Sequence, residues 1–253
     1  MISVSESDGI VEIGLNKPPL NLVTRPMLRE LHDAVVDVAT RSDVRCVIFH
    51  GGEARAFCAG SDIKEFDDLG RDASERKIQY EDHVLRKIAR MPMPTIAAID
   101  GPALGGGFEI ALCCDLRVLK RDVKIGLPEC ILGGLAGSGA VRLARLIGPG
   151  RTKKILFTGE PIETEQALAW GLVEEIAEES ALKTARRLAL TIASRGPISN
   201  RLAKELVEKA LDVPLDAALM QAMVSQQAIF DSADLKEGGR AFLEKRQPRF
   251  IGE

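Results

Sequence analysis

The chain has 253 residues, 45% of them hydrophobic and 28% charged, the balance of an ordinary globular protein with material for a full core. A net charge of −3 gives no electrostatic footprint for nucleic acid, and aromatic residues at 4% argue against stacking platforms for single strands. Five cysteines (Cys46, Cys58, Cys113, Cys114 and Cys130) form an odd set without Cys-x-x-Cys spacing, so buried free thiols are expected rather than a disulfide framework.

The N-terminal MISVSESDG has neither a basic region nor an apolar core, so no signal peptide is read there. Apolar runs fall short of the ~20 residues a bilayer span needs, and a cytoplasmic protein without a membrane partner is expected.

In chain order, ISVS and IVEIGLN alternate like short strands around a Ser-Asp-Gly turn. LNKPPLNLVT reads as loop, and Thr24 with Pro26 reads as the start of a helix through MLRELHDAVVDVAT. RCVIFHGG is an apolar run ending in glycine, typical of a buried strand. Residues 75–91 carry apolar positions at helical spacing and stop before Pro92 and Pro94. TIAAIDG is a second buried strand, followed by a glycine turn and the helix GFEIALCCD; LRVL and KIGL are short strands around a polar turn. From Ser138 onward the pattern is nearly all helical, broken by glycines and prolines. The fold class expected is α/β, with a core over residues 1–195 and a helical C-terminal section over 196–253.

Two glutamates carry the chemistry. Glu109 in GPALGGGFEIALCCD and Glu129 in KIGLPECILGGLAG each lie beside a glycine-dense turn in an apolar segment. A carboxylate in apolar surroundings resists ionisation, and a second one nearby pushes the two titrations apart, which yields an acid and a base from one residue type. The glycines let the backbone approach a ligand, and N–H groups free at such a turn hold a developing oxyanion. Paired carboxyls with an oxyanion pocket describe proton chemistry next to a carbonyl.

Each element also has a plainer reading. The AGSD turn of FCAGSDIKEF is a capped helix start in which Ser61 or Asp62 accepts from nearby N–H groups. Three successive glycines serve tight helix–sheet packing, Glu109 complements the helix dipole, and Glu129 faces solvent after Pro128. Gly105, Gly106 and Gly107 fit neither a phosphate-binding P-loop nor the spaced glycines of a dinucleotide fold. His32, His50 and His83 are scattered without metal-ligand spacing, and Gly137-Ser138-Gly139 lacks the strand context of a hydrolase nucleophile.

Taken in order, AFCAGSDIKEF, AAIDGPALGGGFEIALCCDLRV, LPECILGGLAG and EGGRAFLEKRQPRF resemble the enoyl-CoA hydratase/isomerase (crotonase) family end to end. The resemblance implies a crotonase-type spiral of ββα repeats whose helical C-terminal section builds homotrimers, often paired into hexamers. It implies an acyl-CoA substrate whose thioester carbonyl sits between the backbone N–H groups of Ser61 and Gly106. Glu109 and Glu129 match the two glutamates of the hydratases, and water addition across a 2-enoyl-CoA is the activity implied. Ala59, Asp62, Ile63, Lys64, Gly137 and Lys245 match stretches that contact CoA or substrate.

No metal or redox cofactor is implied, coenzyme A being part of the substrate. The alternatives are an enoyl-CoA isomerase, a CoA-thioester hydrolase, or a non-catalytic acyl-CoA-binding protein. The sequence departs from the hydratase pattern after the second glutamate, where GGLAGSGAVRL carries Ala136 in place of a proline and is one residue shorter. NLVT near the first helix departs as well, and both changes bear on the acyl group.

Overall fold

In the computed structural model the backbone is described from Met1 to Glu253, together with every side chain except those of Asp67 and Asp68. The alternating N-terminus forms a hairpin of β1 (Ile2–Ser7) and β2 (Ile10–Leu15), turning at Asp8-Gly9, where both residues take positive φ. The remaining strands are β3 (Cys46–His50), β4 (Thr95–Ile99), β5 (Ala103–Leu104), β6 (Leu116–Lys120), β7 (Ile125–Gly126) and β8 (Glu175–Ala177). Six of them form one sheet in the order β1-β2-β3-β4-β6-β8, parallel except at the hairpin.

β5 and β7 pair in a second, small sheet, extended by bridges from Cys58 to Ala103 and from Ile125 to Ile162. The chain passes from β3 to Cys58, from β4 to β5 and from β6 to β7, and helical structure follows each time. One strand of the large sheet, one segment of the small sheet and a helix thus make a repeating unit. That winding is the expected ββα spiral.

The helices are α1 (Arg25–Ala39), α2 (Lys64–Leu69), α3 (Gln79–Ala89), α4 (Gly106–Leu112), α5 (Gly137–Ile147), α6 (Pro149–Thr158), α7 (Thr164–Trp170), α8 (Ala181–Ala193), α9 (Pro197–Ala210), α10 (Leu215–Asp231) and α11 (Ala233–Leu243). β3 and β4 read as unbroken apolar runs because both faces of the sheet are covered. On one side Val11, Ile13, Val47 and Phe49 pack with Leu28, Leu31, Val84, Ile88 and Phe108 from α1, α3 and α4. On the other, Ile48, Ile96, Ala98 and Val118 lie beneath Ala181, Ala185 and Ala189 of α8. Alanines four apart form a smooth stripe that lets α8 sit close to the strands. Asp100, at the end of the apolar run TIAAID, accepts from the Ala181 and Leu182 N–H groups (2.6 and 2.9 Å) and caps that helix.

Three details differ from the sequence expectation. β8 lies inside the stretch read as nearly all helical, because three residues are too few to display a period of two. β5 was hidden in the glycine turn for the same reason. The helix expected over 75–91 opens as a π-helical turn, Ser74–Ile78, before becoming α3. His32 and His83 do lie on helices and His50 ends β3, and all five cysteines are free, four of them buried. Among the described residues no helix is long and apolar enough to cross a membrane.

Candidate active site

The three glycines after β5 have three different reasons to be glycine. Gly105 takes φ 52°, ψ −132°, a conformation closed to residues with a β-carbon, and the Glu129 Oε1 lies 2.9 Å from where that carbon would stand. A β-carbon on Gly106 would come within 2.8 Å of the Glu81 Oε1, with Ser61 Oγ at 3.6 Å. On Gly107 it would collide with the backbone carbonyl of Cys58. Tight packing therefore accounts for Gly107, while Gly105 and Gly106 face carboxyl groups.

The facing loop is held by Asn21, a fully buried residue at φ 53°. Its Nδ2 lies 2.8, 3.0 and 2.9 Å from the carbonyls of Gly51, Ala56 and Phe57, and its Oδ1 accepts from the Lys17 N–H at 2.7 Å. Two residues on, Val23 bridges Ser61: the Val23 N–H donates to Gly60 and the Val23 carbonyl accepts from Asp62. That pairing passes over the Ser61 N–H. Among the described residues neither the Ser61 N–H nor the Gly106 N–H, at the open start of α4, has a protein acceptor. Two free donors thus stand on segments brought together by the bridge of Cys58 to Ala103.

Glu109 is buried in the first turn of α4. Its Oε1 accepts a 2.6 Å hydrogen bond from the Gly139 N–H in the first turn of α5. Burial holds its carboxyl above the ordinary carboxylate range, while the Gly139 N–H and the Arg142 charge pull it back. Glu129 begins a 3-10 turn (Glu129–Leu132) after Pro128, and its Oε2 is buried without a partner. Burial raises its titration too, and the charge of Glu109 adds to that rise. Glu109 thus lies within electrostatic reach of Glu129.

A third carboxyl joins them. Glu81, on α3, is 6% exposed, and burial pushes it up to about 7, with Glu109, Glu65 and Glu129 adding to the rise and Lys77 opposing it. Among the described residues, the buried side-chain oxygens without a hydrogen-bond partner are Glu81 Oε2 and Glu129 Oε2. Sequence reasoning missed Glu81 and Asn21. The available signal for Glu81 was a break in the helical pattern: Glu81 shares the buried face of α3 with Val84, Leu85 and Ile88, where a glutamate does not belong.

The expected ligand-contacting residues are partly gathered. Ala59, Ser61 and Asp62 are half-buried and Ile63 and Lys64 exposed, in one run; the Asp62 Oδ1 accepts from the Lys64 N–H at 3.2 Å, as the plainer reading of that turn anticipated. Gly137 is exposed at the start of α5, two residues from the Gly139 that binds Glu109. Lys245 is exposed, past the end of α11, and α11 packs on α10. No group of three His, Cys, Asp or Glu side chains with metal-holding geometry occurs among the described residues.

Two apposed glycine turns, two free N–H donors and buried carboxyls thus gather in one region of a ββα spiral of crotonase type. The chain belongs to the enoyl-CoA hydratase/isomerase family, whose model matches residues 5–253. It is 36% identical over 256 residues to a probable enoyl-CoA hydratase of Bacillus subtilis, covering 100% of this chain and 99% of that one. It is 34% identical over 255 residues to the crotonyl-CoA hydratase of Syntrophomonas wolfei, covering 100% and 98%. The crystal structure of an enoyl-CoA hydratase from Bacillus anthracis superposes with a TM-score of 0.95 at 35% identity, over 100% of this chain and 99% of that one.

Proposed function

We propose that the protein adds water across the 2,3-double bond of a 2-enoyl-CoA, or runs the reverse dehydration. The observation that carries this reading is the Glu129 carboxyl, whose Oε1 lies beside Gly105, whose Oε2 is buried without a partner, and which is within electrostatic reach of Glu109. It is an acceptor waiting for a ligand proton, and a water bound between two carboxyls supplies one. The names of the relatives above point the same way.

In this mechanism the thioester oxygen accepts from the Ser61 and Gly106 N–H groups. That polarises the conjugated system and makes C3 electrophilic. One glutamate takes a proton from water as the water oxygen bonds to C3, and the electron pair of the double bond moves through C2 onto the thioester oxygen. The carbonyl re-forms as the other glutamate delivers a proton to C2. Each N–H that meets the enolate oxygen is worth about 3 kcal/mol of barrier, and the coupled carboxyls contribute general acid–base catalysis. The roles within the pair are interchangeable in forward and reverse directions. Ala59, Asp62, Ile63, Lys64, Gly137 and Lys245 are the proposed contacts to CoA and substrate. The steps use the chain, the thioester and one water.

Incubation with crotonyl-CoA tests the reading. Loss of the conjugated-thioester absorbance with formation of 3-hydroxybutyryl-CoA supports it. Binding of CoA esters without turnover would instead favour the isomerase or thioester-hydrolase activities of related enzymes.

We further propose a homotrimer, or two trimers paired, built on the section 196–253. Leu219, Met220, Met223 and Val224 on α10 and Phe242 and Leu243 at the end of α11 are exposed, Phe242 by 83%, and a helix face of that kind is normally covered. Light scattering should give three or six times 27.4 kDa; a monomer would refute the assembly.

A further inference from the structure

Lys77 and Glu81 lie one helical turn apart, across the junction of the π-turn and α3, and both are buried: Lys77 is 0% exposed and Glu81 6%. The obvious pairing between them is not made. The Lys77 Nζ donates to the Val23 carbonyl at 3.2 Å and pairs with Glu65 Oε2 at 3.3 Å, and it lies 4.7 Å from the centre of the Phe66 ring. Glu65 is itself engaged, its two oxygens each accepting from the Arg25 N–H at 3.3 Å at the start of α1. The lysine charge is thus satisfied elsewhere, and among the described residues the buried Glu81 Oε2 is left without a hydrogen-bond partner, while the Oε1 faces the glycine turn.

Leaving a buried polar group unpaired costs roughly 1–3 kcal/mol, and such groups are uncommon in folded proteins. Here the group is not stranded in the core. The Glu81 Oε1 points at Gly106, 2.8 Å from the position a β-carbon would take, with Ser61 Oγ and a Val23 methyl on the same spot. Gly106 and Ser61 carry the two free N–H donors, so the third carboxyl borders the space that receives the acyl thioester. A plain aliphatic chain gains nothing from a carboxyl at that border and would be better served by leucine.

We propose that Glu81 is a specificity-determining residue that binds a hydroxyl group on the acyl portion of the substrate, distinct from the hydroxyl installed by hydration. This rests on the acyl-CoA reading of the site and narrows its substrate class. The chemistry favours a hydroxyl over other polar groups. A hydroxyl donates to an ionised carboxylate and accepts from a protonated one, so it satisfies Glu81 in both forms. An acyl carboxylate would meet Glu81, Glu109 and Glu129 together, and an ammonium would be held only by the ionised form.

Binding of saturated CoA esters tests this without turnover. Isothermal calorimetry would compare butyryl-CoA with 4-hydroxybutyryl-CoA, and pentanoyl-CoA with 5-hydroxypentanoyl-CoA, on the purified protein, Glu81→Gln and Glu81→Leu. At least one hydroxylated ester should bind about tenfold or more tightly than its plain partner, since a site built to bond a hydroxyl discriminates against its absence. The preference should disappear in Glu81→Leu, with the plain ester bound as well as before, and survive in part in Glu81→Gln, whose amide still bonds a hydroxyl. Equal affinity for plain and hydroxylated esters in the native protein overturns the proposal, and so does a preference that persists in Glu81→Leu. If none of the four esters bound, the acyl-CoA reading itself would fall, a result distinct from equal binding.

Discussion

The Glu109 Oε1 accepts a 2.6 Å hydrogen bond from the Gly139 N–H, which ties one proposed catalytic carboxyl to the first turn of α5. Glu129 has no such tie on its Oε2. Replacing either carboxyl by its amide should lower the rate of crotonyl-CoA hydration by roughly 10²–10⁴-fold, the usual range for loss of general acid–base catalysis. Butyryl-CoA affinity should be retained in both variants. A variant that keeps its full rate returns that glutamate to a structural role.

The neighbouring glycines separate function from packing. Gly107→Ala drives a β-carbon into the Cys58 carbonyl, a backbone atom that cannot swing aside, so it should cost stability of about 1–3 kcal/mol and lower Tm. Gly106→Ala meets only the end of the Glu81 side chain, which can turn away. Its Tm should therefore change little, while kcat/KM falls by roughly 10²-fold as the N–H donor is crowded. Thermal melts and initial rates on the two variants check the contrast.

Asn21→Ala removes a side chain whose amide shares its two hydrogens among the Gly51, Ala56 and Phe57 carbonyls, the last two in buried contacts, and accepts from the Lys17 N–H. With those groups left unpaired, denaturant unfolding should show a loss of at least about 2 kcal/mol. The loop carrying Ala59 and Ser61 should become accessible to proteases.

Burial of Glu81 has a consequence for stability against pH. A carboxyl held near 7 in the folded protein and near 4.5 when unfolded keeps its proton longer in the fold. Its contribution is therefore whole below pH 4.5, declines as pH rises to about 7, and is level above that. Glu81→Gln carries no ionisable group, so its stability relative to the native protein should rise across this window, by up to roughly 3 kcal/mol at pH 8. Urea unfolding at pH 5 and pH 8 measures the difference; a difference that does not grow with pH would show that Glu81 ionises freely.

Much of the site was legible in the sequence because its signals were local. Glycines beside a buried strand and glutamates in apolar runs announce themselves within a dozen residues, and in the fold the charge of Glu109 reaches Glu129. Asn21 and Glu81 were not legible in the same way. The carbonyls that Asn21 serves lie 30 to 36 positions away, and no local pattern reports such a partner. Glu81 sits in a helix dense with charge, and its burial depends on the packing of α3 against the core and on Lys77 pairing with Glu65. β8 escaped because its position depends on β6, nearly sixty residues earlier, and not on its own three residues.

The Gly139 amide that draws Glu109 toward ionisation belongs to the segment 133–140, in which Ala136 is buried and which the sequence resemblance marks as departing from the hydratase pattern. A mutation that reshapes this segment to admit a different acyl group also moves the N–H that tunes the carboxyl. On the proposed hydratase reading, substrate range and pH optimum are coupled through this one segment, and a lineage that drifts toward a new thioester retunes its proton chemistry at the same step.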